Sequence, residues 1–230
     1  MNELLTGNTF FCVALTLVAF SIGSFCQKKW NKAILNPILI GAVLVMIVLT
    51  LLDIPNSVYQ AGCHVLSYLL TPATICLAIS FYEQFQKLKS HLPAVCLGVV
   101  AGTVCSIGSI WLLCRLFALD TALAKSLLPK SITTAIGVVL SQEIGGIAAV
   151  TTAAIAITGI FGNIIGPSLC KLLRIRNPIA QGVAFGTSSH VIGTSRAAQL
   201  DPLTGAVSSL SLTIAGIVTT VLLSFLTQWL

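Results

Sequence analysis

The sequence predicts an all-α polytopic membrane protein with about six full spans, together with broken or re-entrant helices. Of its 230 residues, 56% are hydrophobic and only 8% are charged, and the mean hydropathy is +1.01. Soluble domains carry roughly 25% charged residues, so too few charges remain here to cover a soluble surface. The apolar runs extend through the whole chain, and we expect residues 1–230 to form one transmembrane domain.

Six apolar runs are candidates for the full spans. They cover residues 10–26, 33–52, 57–81, 92–117, 147–172 and 205–229. A helix needs about 20 apolar residues to cross the hydrocarbon core of a bilayer. The third run is interrupted at Thr71-Pro72, where we expect a broken helix. The fifth is rich in Thr, Ala and Gly, which lets neighbouring backbones approach closely.

The net charge of +6 is concentrated in short loops between the apolar runs. The loop cations are Lys28, Lys29 and Lys32, then Lys87 and Lys89, then Lys171, Arg174 and Arg176. Short basic loops of this kind are typical of the cytoplasmic side of a membrane protein. We therefore expect the N-terminus to lie outside and do not expect nucleic acid as a partner.

Two polar runs are flanked by apolar pieces that are too short to cross a bilayer alone. They are Leu128-Pro129-Lys130-Ser131-Ile132-Thr133-Thr134 and Gly186-Thr187-Ser188-Ser189-His190-Val191-Ile192-Gly193-Thr194-Ser195-Arg196. Irregular backbone persists at membrane depth only where it is buried in protein or lines a wet cavity. We therefore expect helix breaks at Pro129, Gly186 and Gly193, and we expect both runs to line a solute path.

The loop charges favour a re-entrant course for residues 122–142. If this segment crossed the membrane, the basic cluster at 171–176 would lie outside, whereas an entering and returning segment places all three basic clusters inside. The segment at 71–79 also aligns with 128–136, with Pro72 opposite Pro129, which indicates an internal structural repeat. Nine aligned positions leave a chance similarity open, and the repeat would pair a spanning segment with a re-entrant one.

Lys130 is the residue that points most directly to a function. A cation at mid-bilayer costs about 2.5–3.5 kcal/mol, and such residues usually face a cavity or a partner. The alternative is a lysine that snorkels to the headgroups. An ammonium that attracts a carboxylate would be joined by the hydroxyls of Ser131, Thr133 and Thr134, and by the positive end of the following half-helix.

The second polar run supplies Ser189, His190, Thr194 and Arg196. Arg196 offers a planar fork that suits a carboxylate. His190 can relay a proton near neutral pH, the alternative being a hydrogen-bonded structural histidine. Glu143 is the acid close to these breaks and is a second candidate proton carrier, the alternative being a plain interfacial acid.

The sequence lacks the common signatures of catalysis and of metal binding. It has no G-x-S-x-G elbow, no H-E-x-x-H motif and no phosphate-binding G-x-x-x-x-G-K-[ST] loop. Its eight cysteines show no paired C-x-x-C spacing, and nearly all lie within apolar runs, as small buried hydrophobes do. We therefore expect neither an enzyme, nor a bound metal, nor a cofactor.

The two polar runs resemble segments of the LrgB/CidB family of bacterial inner-membrane proteins. The similarity is carried by Leu128-Pro129-Lys130-Ser131-Ile132-Thr133-Thr134, by Gly145-Gly146, Thr158-Gly159 and Gly162, and by the segments 186–190 and 193–197. Length and hydropathy match over essentially the whole chain. The family often has Pro after the P-K-S-x-T-T run, whereas this chain has Ala135, which would make the local break less rigid.

The resemblance implies a place in the bacterial inner membrane and two different functions. One is transport of small hydroxy- or keto-monocarboxylates, of the 3-hydroxypropanoate, glycolate or pyruvate class, as a secondary transporter or exporter with a small LrgA/YohJ-like membrane protein. The other is a non-transporting role, in which the chain regulates a holin-like partner that modulates murein hydrolases and lysis. The first predicts a small organic anion as ligand, and both fit a homo- or hetero-oligomer within the lipid bilayer.

Overall fold

The computed structural model describes residues 9–30, 37–69 and 89–226, together with the single residues Pro72, Ile75, Cys76, Ile79 and Tyr82. Its contacts divide the chain into two compact units, Met1–Cys76 and Leu77–Leu230. Each unit is described by itself below. That the two act as one transmembrane domain stays a prediction.

All regular elements in the described ranges are helices. The first unit contains α1 (Thr9–Trp30), α2 (Pro37–Leu51), α3 (Asn56–Gly62) and α4 (His64–Ser67). The second contains a short 3₁₀ turn (Lys89–His91), α5 (Leu92–Leu116), α6 (Thr121–Leu127), α7 (Thr134–Glu143), α8 (Ala148–Leu172), α9 (Pro178–Leu200) and α10 (Pro202–Leu226). The all-α architecture expected from the sequence is confirmed.

Four of these helices, α1, α5, α8 and α10, are long and apolar enough to cross a membrane, and α2 is a shorter apolar helix of 15 residues. Large apolar side chains such as Phe10, Leu97, Phe161 and Phe225 are exposed, as they would be against lipid. The chain is therefore a multi-pass membrane protein. The break expected at Thr71-Pro72 and the repeat at 71–79 lie largely outside the described residues, although the backbone of Pro72 is helical.

In the first unit, α1 and α2 are packed backbone to backbone. A Cβ atom on Gly23 would lie 2.6 Å from the carbonyl oxygen of Pro37, so only glycine allows this approach. The Thr16 hydroxyl bonds the Tyr59 hydroxyl at 2.7 Å and thereby ties α1 to α3. Small residues at helix contacts are the usual means of close packing in a membrane.

Several helices of the second unit begin at a side-chain cap encoded in the sequence. The Asp120 carboxylate accepts from the backbone N–H of Ala122, and Asn177 accepts from Ile179. The Asp201 carboxylate accepts from Thr204 at 2.9 Å. In α9 and α10 the cap is followed by proline, which suits the first helical position.

The chain reverses its direction between α6 and α7. Thr151 of α8 bonds both helices. Its hydroxyl lies 3.0 Å from the Ser126 carbonyl oxygen of α6 and 2.6 Å from the Ser141 hydroxyl of α7. In one continuous helix Ser126 and Ser141 would be roughly 22 Å apart along the axis, at 1.5 Å per residue. Residues 121–143 therefore form a helical hairpin; that this hairpin is re-entrant in the membrane stays a prediction.

Replacing Thr151 by valine is expected to destabilise this hairpin. The change keeps the side-chain shape but leaves the Ser126 carbonyl and the Ser141 hydroxyl without their shared partner in a fully buried site. A buried polar group left unpaired costs about 1–3 kcal/mol. The neighbouring Thr152→Val is the matched control, because Thr152 is exposed and bonds only Ala148 of its own helix. Unfolding of the detergent-solubilised variants would measure both, and equal stabilities would contradict the role of the network.

Candidate functional site

The first break lies between α6 and α7, at residues 128–133. Pro129 has no backbone N–H and its ring would collide with a preceding carbonyl, so α6 cannot continue through it. Successive tight turns replace the helix, with Lys130 N–H bonding the Leu127 carbonyl at 3.1 Å and Ile132 N–H bonding Pro129 at 3.3 Å. Thr133 is extended, and α7 starts at the next residue.

The second break is confined to one residue of α9. His190 has φ 43° and ψ −139°, a conformation that non-glycine residues rarely adopt, while the residues on both sides are helical. Such strain costs on the order of 1–3 kcal/mol and persists only where the surroundings fix it. The glycines expected to break this segment do not do so, because Gly186 and Gly193 lie inside the helix on either side of His190.

Side chains from two helices bond the backbone beside the break. The Thr194 hydroxyl donates to the His190 carbonyl at 2.9 Å and bonds the Ser208 hydroxyl of α10 at 2.8 Å. The Asn163 amide of α8 donates to the Ile192 carbonyl at 3.1 Å. These bonds tie the second half of α9 to both α8 and α10.

The His190 ring is held against α8. Its Nε2 lies 2.9 Å from the Ile155 carbonyl oxygen, which can only accept, so Nε2 carries the hydrogen and Nδ1 keeps its lone pair when the ring is neutral. A Cβ atom on Gly159 would lie 2.5 Å from the ring. The glycine at 159 therefore makes room for the imidazole.

The two breaks meet inside the second unit. The charge of Lys130 acts on the His190 ring, although the two residues are 60 positions apart in sequence. Lys130 is half-buried, and its ammonium has no hydrogen-bond or ion-pair partner among the described residues. A partly desolvated cation without a counter-charge favours the binding of an anion.

A cleft lined by hydroxyl groups lies between the same two breaks. Ser131 from the first break and Thr187 from the second both line it, together with Thr103 and Ser106 of α5 and Thr219 of α10. The Ser106 and Ser131 hydroxyls bond each other at 2.9 Å. The Thr103 hydroxyl is buried without a partner. The cleft is so narrow that it nowhere admits a water-sized sphere.

The other residues expected at the site are placed differently. Thr133 stands at the N-cap position of α7 without a side-chain cap bond, and Thr134 is exposed. Ser189 packs against Gly162 of α8, and Thr194 bonds Ser208 and does not line the cleft. The Arg196 guanidinium bonds Gln199 of its own helix at 3.0 Å, and no contact in the described residues joins it to Lys130. Glu143 is exposed at the end of α7.

Several polar residues of the site were not expected from the sequence. They are Thr103 and Ser106 on α5 and Thr219 on α10, whereas Thr187 lies in the second polar run that was expected to line the path. A signal exists for α10, in which Thr204, Ser208, Ser211, Ala215 and Thr219 recur at helical spacing and are all buried. Small and hydroxylic residues at intervals of three or four mark a helix face in close contact with other helices.

Comparison with known proteins shows that the chain is similar to members of one family. The model of the LrgB-like family matches residues 16–229. The chain is 32% identical to a Bacillus subtilis protein named antiholin-like protein LrgB, over 97% of each chain. It is 31% identical to a Staphylococcus epidermidis protein named holin-like protein CidB, over 98% of each chain. No solved structure matches the chain.

Proposed function

We propose, from the premise that this chain belongs to the LrgB-like family, that it is a secondary transporter of small hydroxy- or keto-monocarboxylates rather than an enzyme. The observation that carries the proposal is the half-buried Lys130 ammonium, which has no acceptor among the described residues and lies where two broken segments meet. Broken helices that meet around a charged group are the usual construction of a carrier's binding site.

The chemistry of the surroundings suits a single carboxylate. One ammonium balances one negative charge. Lys130 does not itself line the cleft, but the next residue, Ser131, does, and the hydroxyls of Ser131, Ser106 and Thr103 there can bond a second oxygen, such as a hydroxyl or keto group. The unpartnered Thr103 hydroxyl in particular is a donor that a ligand would satisfy. Glycolate, pyruvate and 3-hydroxypropanoate all present this pair of groups.

We assign a coupled proton to His190 in preference to Glu143. The imidazole can bind a proton at Nδ1 without losing the Nε2 bond to Ile155. The Lys130 charge opposes a second positive charge on the ring, so we propose that the proton binds together with the anion, which offsets this repulsion. Glu143 is exposed at the end of α7, whereas His190 is buried and within reach of the Lys130 charge.

The proposal also fixes the setting of the protein. We place it in the bacterial inner membrane with its N-terminus outside, and residues 121–143 as a hairpin that enters and leaves on one side. Its relatives bear holin-related names, and we propose a small LrgA-like membrane protein as its partner in a hetero-oligomer.

Uptake of labelled glycolate, pyruvate and 3-hydroxypropanoate into proteoliposomes tests the proposal. The purified chain is measured with and without the co-expressed partner, and saturable flux of at least one acid is expected. Arg196→Gln is expected to keep most of the flux, because its side chain bonds Gln199 rather than the cleft. Absence of saturable flux under both conditions would remove the carrier proposal.

A second function is favoured by the names of the relatives, which are called antiholin-like and holin-like. In it the chain transports nothing and regulates a holin-like partner, without binding a small anion at Lys130. Cells that lack the chain would then show altered lysis, and restoring Lys130→Ala would correct the lysis phenotype as well as the wild type does. A carrier predicts that this variant fails to restore function.

A further inference from the structure

A separate recess with two cations lies where α5 ends and α6 begins. Its volume is about 380 Å³, and its lining includes Trp111, Arg115, Lys125 and Leu128. Cavities of this size commonly hold small molecules. Arg115 belongs to the last turn of α5, so this basic recess opens at the ends of helices rather than along their apolar sides.

Both cations of the basic recess are free to attract an anion. In the described part of the chain neither Arg115 nor Lys125 has an ion-pair partner, and the Arg115 guanidinium lies over the Trp111 ring, 5.3 Å from its centre. The nearby Asp120 carboxylate is used as the cap of α6 and does not line the recess. Two like charges facing one concave space create a local positive potential.

Leu128 connects the basic recess to the hydroxyl-lined cleft. Its side chain is 2% exposed and lines both spaces. Leu128 also directly precedes Pro129 and Lys130 in the first break. An anion that leaves the recess past Leu128 would therefore arrive at the cleft that Ser131 lines.

We propose that the basic recess is an outer binding site for small inorganic and carboxylate anions, with Leu128 as the barrier between it and the inner cleft. The anion binding rests on Arg115 and Lys125 alone. The role of the recess as the entrance to a transport path rests on the proposed function.

Quenching of Trp111 fluorescence tests the binding without any transport. A single-tryptophan protein is made with Trp30→Phe and Trp229→Phe, in neutral detergent. Iodide, an anion, should quench Trp111 more strongly than neutral acrylamide of equal concentration. Lys125→Gln and Arg115→Gln should each lower the Stern–Volmer constant for quenching by iodide by about threefold, because each removes roughly one kT of local electrostatic potential. They should leave the acrylamide constant unchanged, and Lys171→Gln, which removes an exposed cation at the end of α8, should change neither.

The result separates the possible outcomes. Equal iodide quenching in the wild type and in both variants would overturn the site. Iodide quenching that disappears in liposomes with anionic lipid, but not with neutral lipid, would assign the cations to lipid headgroups and would also overturn it. If the two variants reduce iodide quenching but the protein shows no flux, the anion site is retained and the transporter proposal is rejected. Where flux is present, both variants should raise KM severalfold with little change in kcat.

Discussion

Replacing Lys130 by alanine is expected to abolish most of the saturable flux of small monocarboxylates. The ammonium is the half-buried cation where the two breaks meet, and within the described residues it forms no ion pair or hydrogen bond. Hydrogen bonds to a charged group contribute about 1.5–3 kcal/mol, so the loss in kcat/KM should be roughly 10- to 100-fold. Initial rates in proteoliposomes at several substrate concentrations would measure it.

The same substitution should leave the fold at least as stable as the wild type. Lys130 forms no side-chain bond within the described residues, and burial of a charge opposes folding, so its removal takes nothing from the packed structure. Loss of flux with unchanged or higher unfolding temperature distinguishes a ligand-binding residue from a structural one. Lys171→Ala is the matched control, since Lys171 is an exposed cation in the last turn of α8. A Lys130→Ala variant that transports normally would disprove the site.

Introducing a methyl group at Gly162 is expected to disrupt the contact between α8 and the broken helix α9. A Cβ atom there would overlap the Ser189 hydroxyl and lie 2.6 Å from the Ser189 Cβ, one residue before the strained His190. Overpacking of a tight contact costs about 1–3 kcal/mol. We expect Gly162→Ala to lower the unfolding midpoint and to reduce flux, because α9 must shift at the site.

A control and a rescue make this prediction specific. Gly108→Ala adds the same methyl group to α5, where nothing lies within 4 Å, and should be neutral or stabilising because alanine favours the helix. Ser189→Gly removes the side chain that Gly162→Ala would strike, so the double variant should recover part of the lost stability. If Gly162→Ala and Gly108→Ala behave alike, the close approach of α8 and α9 is not what the structure shows.

The sequence predicted the parts of this fold that depend on local chemistry. Pro129 disfavours a continuous helix and is followed by polar residues, so the first break could be located from sequence, although α8 accommodates Pro167 without one. The bounds of α5 and α8 follow from apolar runs and agree with the structure to within a residue or so. Lys130 stood out because a charge inside an apolar segment is costly.

Features that depend on tertiary contacts could not be predicted in this way. Gly186 and Gly193 are flexible in principle, but their neighbours pack them into helix, whereas His190 takes the strained conformation because Ile155 and Thr194 hold its ring and its carbonyl. Arg196 looked equivalent to Lys130 by residue type. Its separation from the cleft follows from the rotation of the second half of α9, which no sequence pattern specifies.

The tightness of the hydroxyl-lined cleft has a consequence for any solute path through it. Because not even a water-sized sphere fits between the side chains that line it, Ser131 and Thr187 have no open channel between them. Passage of even the smallest carboxylate would need α5, α9 or α10 to move away from the first break. The proposed carrier must therefore adopt a second, wider conformation during each cycle.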